Sequence, residues 1–224
     1  VLMAVSCLVT LQLTGITIAP DSSPLIICLT VPVLLLNPLL FSWVSFRNAA
    51  RLEEHKRRLQ VMSIRDGMTG VYNRRHWESL LRDEFDNCRR HQRVATLLLI
   101  DVDHFKTIND TWGHDVGDEA IIAITRHLQL TLRGSDLIGR FGGDEFAVIM
   151  CGTPPENAIA AMERVHDRLT GFRLPSAPQL ALQISVGVAP LTDEMTHYRE
   201  WLKSADLALY KAKKAGRNRT EVAA

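Results

Sequence analysis

The charges of this chain divide it before any motif is read. From Val1 to Phe46 there is a single charged side chain, Asp21, whereas the following 178 residues carry 26 basic and 24 acidic groups. "VLMAVSCLVTLQLTGITIA" is uncharged from Val1 to Ala19, and "PLIICLTVPVLLLNPLLFSWVSF" is uncharged from Pro24 to Phe46. Each is close to the ~20 apolar residues that cross a bilayer as a helix. Pro32 and Pro38 would harm a soluble helix but are tolerated in a membrane-spanning one. A signal peptide fits poorly, because the first run lacks a basic leading region and a longer apolar run follows it. Residues 1–46 are therefore expected to form two transmembrane helices joined by "PDSS". Arg47, Arg51, Lys56, Arg57 and Arg58 stand just after the second run, and such a basic flank predicts that everything C-terminal to it is cytoplasmic. The chain opens with Val inside an apolar run, which suggests the C-terminal portion of a longer protein.

Residues 47–64, "RNAARLEEHKRRLQVMSI", place Leu52, His55, Leu59 and Met62 at alternating spacings of three and four. Such a seam suits a short parallel coiled coil with a second copy. With fewer than three heptads, a solvated linker helix fits equally well.

From residue 65 to 224 the pattern is that of one compact domain. Asn73 is placed to cap a helix over 74–90 that carries Trp77, Leu80, Leu81 and Phe85 at helical spacing. "VATLLLID" (94–101) reads as a strand buried on both faces. An acidic, loop-like stretch follows, then a helix over 116–132 with Ile121, Ile124, Leu128 and Leu132 on one face. Strands over 136–141 and 145–151 flank Gly142-Gly143 as a hairpin. Pro154 and Pro155 open a further helix striped by Ile159, Met162, Val165 and Leu169. "LALQISVGVA" (180–189) alternates as a strand, and a last helix over 196–215 stops at Gly216. Strand, helix, strand, strand, helix, strand is the α+β, ferredoxin-like (split βαβ) order, here with extra helices at both ends.

The formal charge of +1 offers no electrostatic footprint for nucleic acid. A ferredoxin-like RNA-binding domain would also want aromatics on its sheet, and none are evident. Cys7, Cys28, Cys88 and Cys151 lack C-x-x-C spacing, so neither a zinc site nor a disulfide framework is expected. What remains distinctive is "RFGGDEFAVI" (140–149), a hairpin with two acids at its tip. In the split βαβ order the end of the first strand, Asp101, arrives beside Asp144 and Glu145. Carboxylates that would repel one another can share a site when a divalent cation compensates them, and oxygen donors of this kind suit Mg²⁺ together with substrate phosphates. Gly142 and Gly143 would let a nucleotide approach the backbone. An acidic surface turn is the plain alternative.

"RFGGDEF" resembles the signature of the GGDEF family of diguanylate cyclases, and it does not stand alone. "RDGMTGVYNRR" (65–75) is similar to that family's D-x-L-T-G-L-x-N-R segment, with Met68 and Val71 as departures. "IDVDHFKTINDTWGHDVGDE" (100–119) and "SADLALYKAKKAGRNR" (204–219) resemble its first-strand and closing-helix segments, in the same order. "HKRRLQVMSIRDGMTGVYNRRHWE" further resembles the AdrA type, whose membrane domain is called MASE2. The resemblance implies a nucleotidyl-cyclase-type domain anchored in the bacterial inner membrane as a multi-pass protein. It implies metal ligation by Asp101, Asp144 and the carbonyl of Val102, with two Mg²⁺ (or Mn²⁺) ions per site, and Glu145 either completing the metal cluster or helping to deprotonate the attacking hydroxyl. Asn109 and Asp118 would read guanine; Lys213 and Arg217, four apart on one helix face, would hold the triphosphate, assisted by backbone around His104, Phe105 and Lys106. Asp103 and Asp115 would be structural or solvated. "RGSD" (133–136) resembles the family's R-x-x-D product site, with Arg133 and Asp136 binding cyclic di-GMP as feedback inhibitor. The implied reaction joins two GTP across a homodimer into cyclic di-GMP and two pyrophosphates. The alternative is an inactive GGDEF domain that binds GTP or cyclic di-GMP and only signals.

Overall fold

The computed structural model describes residues 41–49, 51 and 64–223. The two expected membrane spans therefore lie outside the described residues except for 41–46, and so does most of the expected coiled segment. Residues 41–49 are helical and exposed, with the Arg47 guanidinium 4.6 Å from the centre of the Trp43 ring. Among the described residues, no helix is long and apolar enough to cross a membrane. The chain divides into two units, 1–62 and 63–224, and the second holds the candidate site.

That unit runs β1 (Tyr72–Asn73), α1 (Arg74–His91), β2 (Ala95–Val102), α2 (Phe105–Trp112), α3 (His114–Thr131), β3 (Leu137–Arg140), β4 (Glu145–Cys151), α4 (Pro155–Gly171), β5 (Ile184–Pro190), α5 (Tyr198–Lys214) and β6 (Thr220–Val222). The sheet order is β1-β3-β4-β2-β5-β6. Its inner four strands have the ferredoxin-like arrangement, with β2 antiparallel to both β4 and β5. The two edge strands, parallel to β3 and β5, were not expected. Elements of two and three residues carry too little periodicity to be seen in sequence.

Period-two alternation sends successive strand residues to opposite faces, and each face is covered by helices. Leu98, Ile100, Val148, Val186 and Val188 pack with Ile121, Ile124, Leu128 and Met162 of α3 and α4. Leu97, Leu99, Ala147, Ile149 and Ala189 pack with Trp77, Leu81 and Phe85 of α1 and with Trp201, Ala205 and Leu209 of α5. The two tryptophans are buried yet satisfied: Trp77 Nε1 donates to Leu137 O and Trp201 Nε1 to Ala189 O, both at 2.8 Å. Gly187 lets α5 approach closely, since a Cβ there would collide with the backbone of Ala205 and Leu209.

Boundaries mostly match expectation, with Asn73 Oδ1 capping α1 by accepting from His76 N at 3.0 Å. The acidic, loop-like stretch after β2 is instead helix α2, and α3 begins at His114 rather than near 116. In α2 only Ile108 is buried, so it lacks the apolar stripe by which a helix is recognised.

Candidate active site

The site is built at one end of the sheet. Asp101 of β2 stands directly opposite Glu145 of β4 and Ser185 of β5. By alternation these three share the face covered by α1 and α5, two positions beyond Leu99, Ala147 and Gly187. Asp144 follows the turn, and its carbonyl accepts from Val102 N at 3.1 Å. The tip is closed by Glu145 O, which accepts from Phe141 N at 2.8 Å and Gly142 N at 3.2 Å. So the expected gathering of Asp101, Asp144 and Glu145 is observed.

Burial pushes the Asp101 carboxyl up, Lys213 opposes this, and Asp144 and Asp103 add repulsion. Glu145 is likewise pushed up by burial first and then by Asp101 and Asp144, with Lys213 and Arg74 in opposition. Lys213 Nζ lies 2.7 Å from Asp101 Oδ2. Among the described residues no group of three or more His, Cys, Asp or Glu side chains is disposed to hold a metal ion. The donor set fits Mg²⁺ in a different sense. That ion is held by one or two carboxylates and completes its octahedron with water and substrate phosphates, and this acidic end carries more negative charge than Lys213 and Arg74 remove.

The two glycines of the tip differ in surroundings. Neither has positive φ, and a Cβ on Gly142 would come within 2.8 Å of Glu145 Oε2, so its missing side chain makes room for that carboxylate. Gly143 faces open space and remains free to let a ligand approach.

On the other face of the sheet, α2 and the first turns of α3, whose apolar side packs in the core, lie beside β2. His104 precedes α2 in the left-handed region, at φ 57°, and makes no side-chain cap; the first-turn N–H groups of α2 are therefore suited to an anion. Asn109 and Asp118 lie on this pair, Asp118 exposed. Asn109 Oδ1 is buried without a hydrogen-bond partner, in space that a Cβ on Gly117 would invade. Phe105 packs against the hydrophobic core, while Lys106 is exposed.

Arg217 corrects the expectation for the last helix. α5 ends at Lys214, and Arg217 lies beyond it at φ 63°, so it does not share a helix face with Lys213. The helix closes in a Schellman arrangement, Arg217 N donating to Ala212 O at 3.0 Å, with Gly216 at φ 110° in the position that favours glycine.

Two residues unassigned from sequence tie the surroundings together. Arg140 donates to Gly143 O through Nη2 at 2.7 Å and to Asp66 Oδ1 through Nη1 at 3.2 Å. Asp66 also accepts from Thr69 N at 3.0 Å and Thr69 Oγ1 at 2.6 Å. Burial alone would raise the Asp66 carboxyl, but Thr69 and Arg140 together hold it below its usual range. Arg74, at the start of α1, lies over Phe141 at 4.3 Å from the ring centre. A basic residue flanking "GGDEF" was the available signal for Arg140; Arg74 needed the tertiary contact. Away from this end, Arg133 is exposed and Asp136 is buried. Asp136 Oδ2 accepts from Arg133 N at 2.8 Å, beside a cleft of about 300 Å³ that Arg65, Tyr72 and Gln129 also line.

A split-βαβ sheet with an acidic hairpin tip beside α2 and α3 is the arrangement expected of a nucleotidyl-cyclase-type domain. Residues 63–219 match the family described as diguanylate cyclase, GGDEF domain, and the chain belongs to that family. All 224 residues are 75% identical to the probable diguanylate cyclase DgcC of Escherichia coli K12, of which the chain spans 60%. Over 159 residues, 70% of the chain, it is 35% identical to the diguanylate cyclase DosC of the same strain and covers 34% of that protein. The crystal structure of the coiled coil and GGDEF domain of DgcB from Caulobacter crescentus, in complex with c-di-GMP, matches with a TM-score of 0.70 at 26% identity. That match covers 82% of this chain and 98% of that one.

Proposed function

We propose that the chain is the catalytic end of a membrane-anchored diguanylate cyclase, condensing two GTP into cyclic di-GMP with release of two pyrophosphates. The observation that carries this is the register of Asp101 against Glu145 with Asp144 at the adjoining tip, in a chain 75% identical to a probable diguanylate cyclase. Asn109 and Asp118 read guanine, because a carboxylate facing its N1–H and N2–H₂ edge makes two hydrogen bonds that adenine does not offer. Lys213, Arg217 and the first N–H groups of α2 hold the triphosphate. One or two of the carboxylates of Asp101, Asp144 and Glu145, with the Val102 carbonyl, would hold Mg²⁺, which supplies charge neutralisation at the reacting phosphate. Phosphoryl transfer needs positioning and charge compensation more than covalent help.

The 3′-hydroxyl of one GTP attacks the α-phosphorus of a second GTP, and the bond to pyrophosphate breaks. The attacking hydroxyl gives up its proton to Glu145, which stands opposite Asp101 at the tip, or to water. A second, identical transfer closes the ring. Each domain presents one GTP, so two copies face each other and activity follows dimerisation. Residues 1–46 anchor the protein as the end of a MASE2-type domain in the inner membrane, with 65–224 in the cytoplasm. Residues 47–64 pair as the coiled segment that brings the cyclase domains together. Arg133 and Asp136 bind product and restrain the reaction.

The test is incubation of the chain with GTP and Mg²⁺ and identification of the product, in wild type and Asp144→Ala. Cyclic di-GMP from wild type, and turnover reduced by about two orders of magnitude or more in a folded, dimeric variant, is the expected result. A folded Asp144→Ala protein with near-full turnover overturns the site.

A further inference from the structure

Asp103, two residues beyond Asp101, is 3% exposed, and both of its carboxylate oxygens are engaged. Oδ1 accepts from the Ser185 hydroxyl at 2.7 Å, and Oδ2 accepts from the Asn218 backbone N–H at 2.9 Å. A carboxylate this buried is costly unless it is paired, so the partners it grips are informative. One is on β5. The other is in the segment just past α5.

That segment is conformationally unusual. Gly216, Arg217 and Asn218 stand in succession at φ 110°, 63° and 45°, a region that L side chains rarely occupy. Such backbone persists only where its surroundings over-determine it. Arg217 N is tied to Ala212 O of α5 at 3.0 Å, and Arg219 O accepts from Val186 N of β5 at 2.9 Å. Beyond them, Thr220 Oγ1 lies 3.2 Å from His166 Nε2 of α4. Both flanks are thus fastened independently, and inside the segment Arg219 Nε donates to Arg217 O at 3.2 Å while the Asn218 side chain bonds to His166. The bond from Asn218 N–H to Asp103 is what joins the segment to the end of β2. Its loss leaves only those local contacts to hold residues 217 and 218 at positive φ.

The geometry points to Asp103 as a positioning residue that holds Arg217 in its left-handed conformation, so that its guanidinium addresses the same phosphates as Lys213. This rests on the reading of the site as a GTP site. Asp103 touches no substrate and acts through Arg217.

The experiment is a double-mutant cycle on the whole chain, read as kcat and KM for GTP with Mg²⁺ and accompanied by thermal unfolding. Asp103→Ala should raise KM about tenfold with kcat changed by less than about threefold, as loss of binding rather than of chemistry does. In an Arg217→Ala background, Asp103→Ala should add less than about twofold, since residues acting through one another are not additive. Asp103→Asn should restore KM, because its amide oxygen can accept from Asn218 N–H while its NH₂ donates to the Ser185 hydroxyl. A merely structural carboxylate would lower melting temperature and give additive changes in KM, and that result overturns the inference. Should Asp103→Ala not fold, Ser185→Ala carries the same test, with a smaller rise in KM that vanishes when Arg217 is Ala. A wild type that binds no GTP overturns the functional reading and this inference with it; additive changes in a protein that does bind GTP overturn the inference alone.

Discussion

Half-buried carboxylates facing one another serve function at the expense of stability. Glu145 stands opposite Asp101, and burial together with Asp101 and Asp144 raises its pKa. Raised above its unfolded value, this group contributes stability when protonated at low pH and loses it as pH rises. At neutral pH its ionisation therefore works against folding, and a cation or a neutral side chain should relieve it. Glu145→Gln keeps the shape and removes the charge. It should raise stability by roughly 0.5–1 kcal/mol, about 1–4 °C in melting temperature, while abolishing cyclisation. Calorimetry beside a turnover assay checks this, and a clear fall in melting temperature would count against repulsion at the tip.

At the scale of elements, the segment before β1 is fastened to the β3–β4 hairpin through Asp66 and Arg140. Arg140 bridges Asp66 Oδ1 at 3.2 Å and Gly143 O at 2.7 Å, so one guanidinium links the start of the domain to the acidic tip. Asp66→Ala should cost about 1–3 kcal/mol, because it removes the charge-assisted bond from Arg140 and both bonds from Thr69. The pH dependence has the opposite sign to that of Glu145. The Asp66 carboxyl is held low, with Thr69 and Arg140 outweighing burial. Its contribution is full above the unfolded carboxylate pKa and is lost as pH falls through the folded value. Urea unfolding at pH 7 and near pH 3 should show the wild-type–variant gap narrowing in acid. A gap that stays constant would mean Asp66 acts without its charge.

For the whole molecule, the proposed function makes control depend on two copies meeting and on where product binds. Arg133 is exposed beside the cleft, and the backbone N–H of Arg133 holds Asp136 in a tight turn at 2.8 Å. If cyclic di-GMP binds there and keeps the facing domains apart, Arg133→Ala should leave initial rates near wild type and let product reach higher levels before the reaction stalls. A guanidinium can pair a phosphate oxygen and stack on a guanine, which makes this residue the one to remove. Progress curves with and without added cyclic di-GMP are the measurement. Wild type that is not inhibited at saturating product would reduce "RGSD" to a polar turn between α3 and β3.

The sequence by itself determined the ferredoxin-like order, the cap at Asn73, and the meeting of Asp101 with Asp144 and Glu145, because each follows from periodicity, local turn chemistry or topology. The family resemblance also pointed to Asp118, on a helix already expected over 116–132, and to Asn109, whose helix α2 was not visible in the sequence. Tertiary structure decided what depends on contacts between distant residues. Helix α2 buries only Ile108 and has no stripe to announce it; β1 and β6 become strands by pairing with β3 and β5. The stop at Gly216 was legible in the sequence, whereas the resemblance set Arg217 on one helix face with Lys213, and beyond Gly216 the chain instead enters the left-handed region. Helical spacing describes a sequence only while the helix lasts. Asp103 looked solvated or structural from its position, and only the fold brings Ser185 and Asn218 to it across 82 and 115 residues of chain. Bonds over such separations leave no periodic trace, because the entropy of closing those loops is met by the folded sheet as a whole rather than by any local pattern.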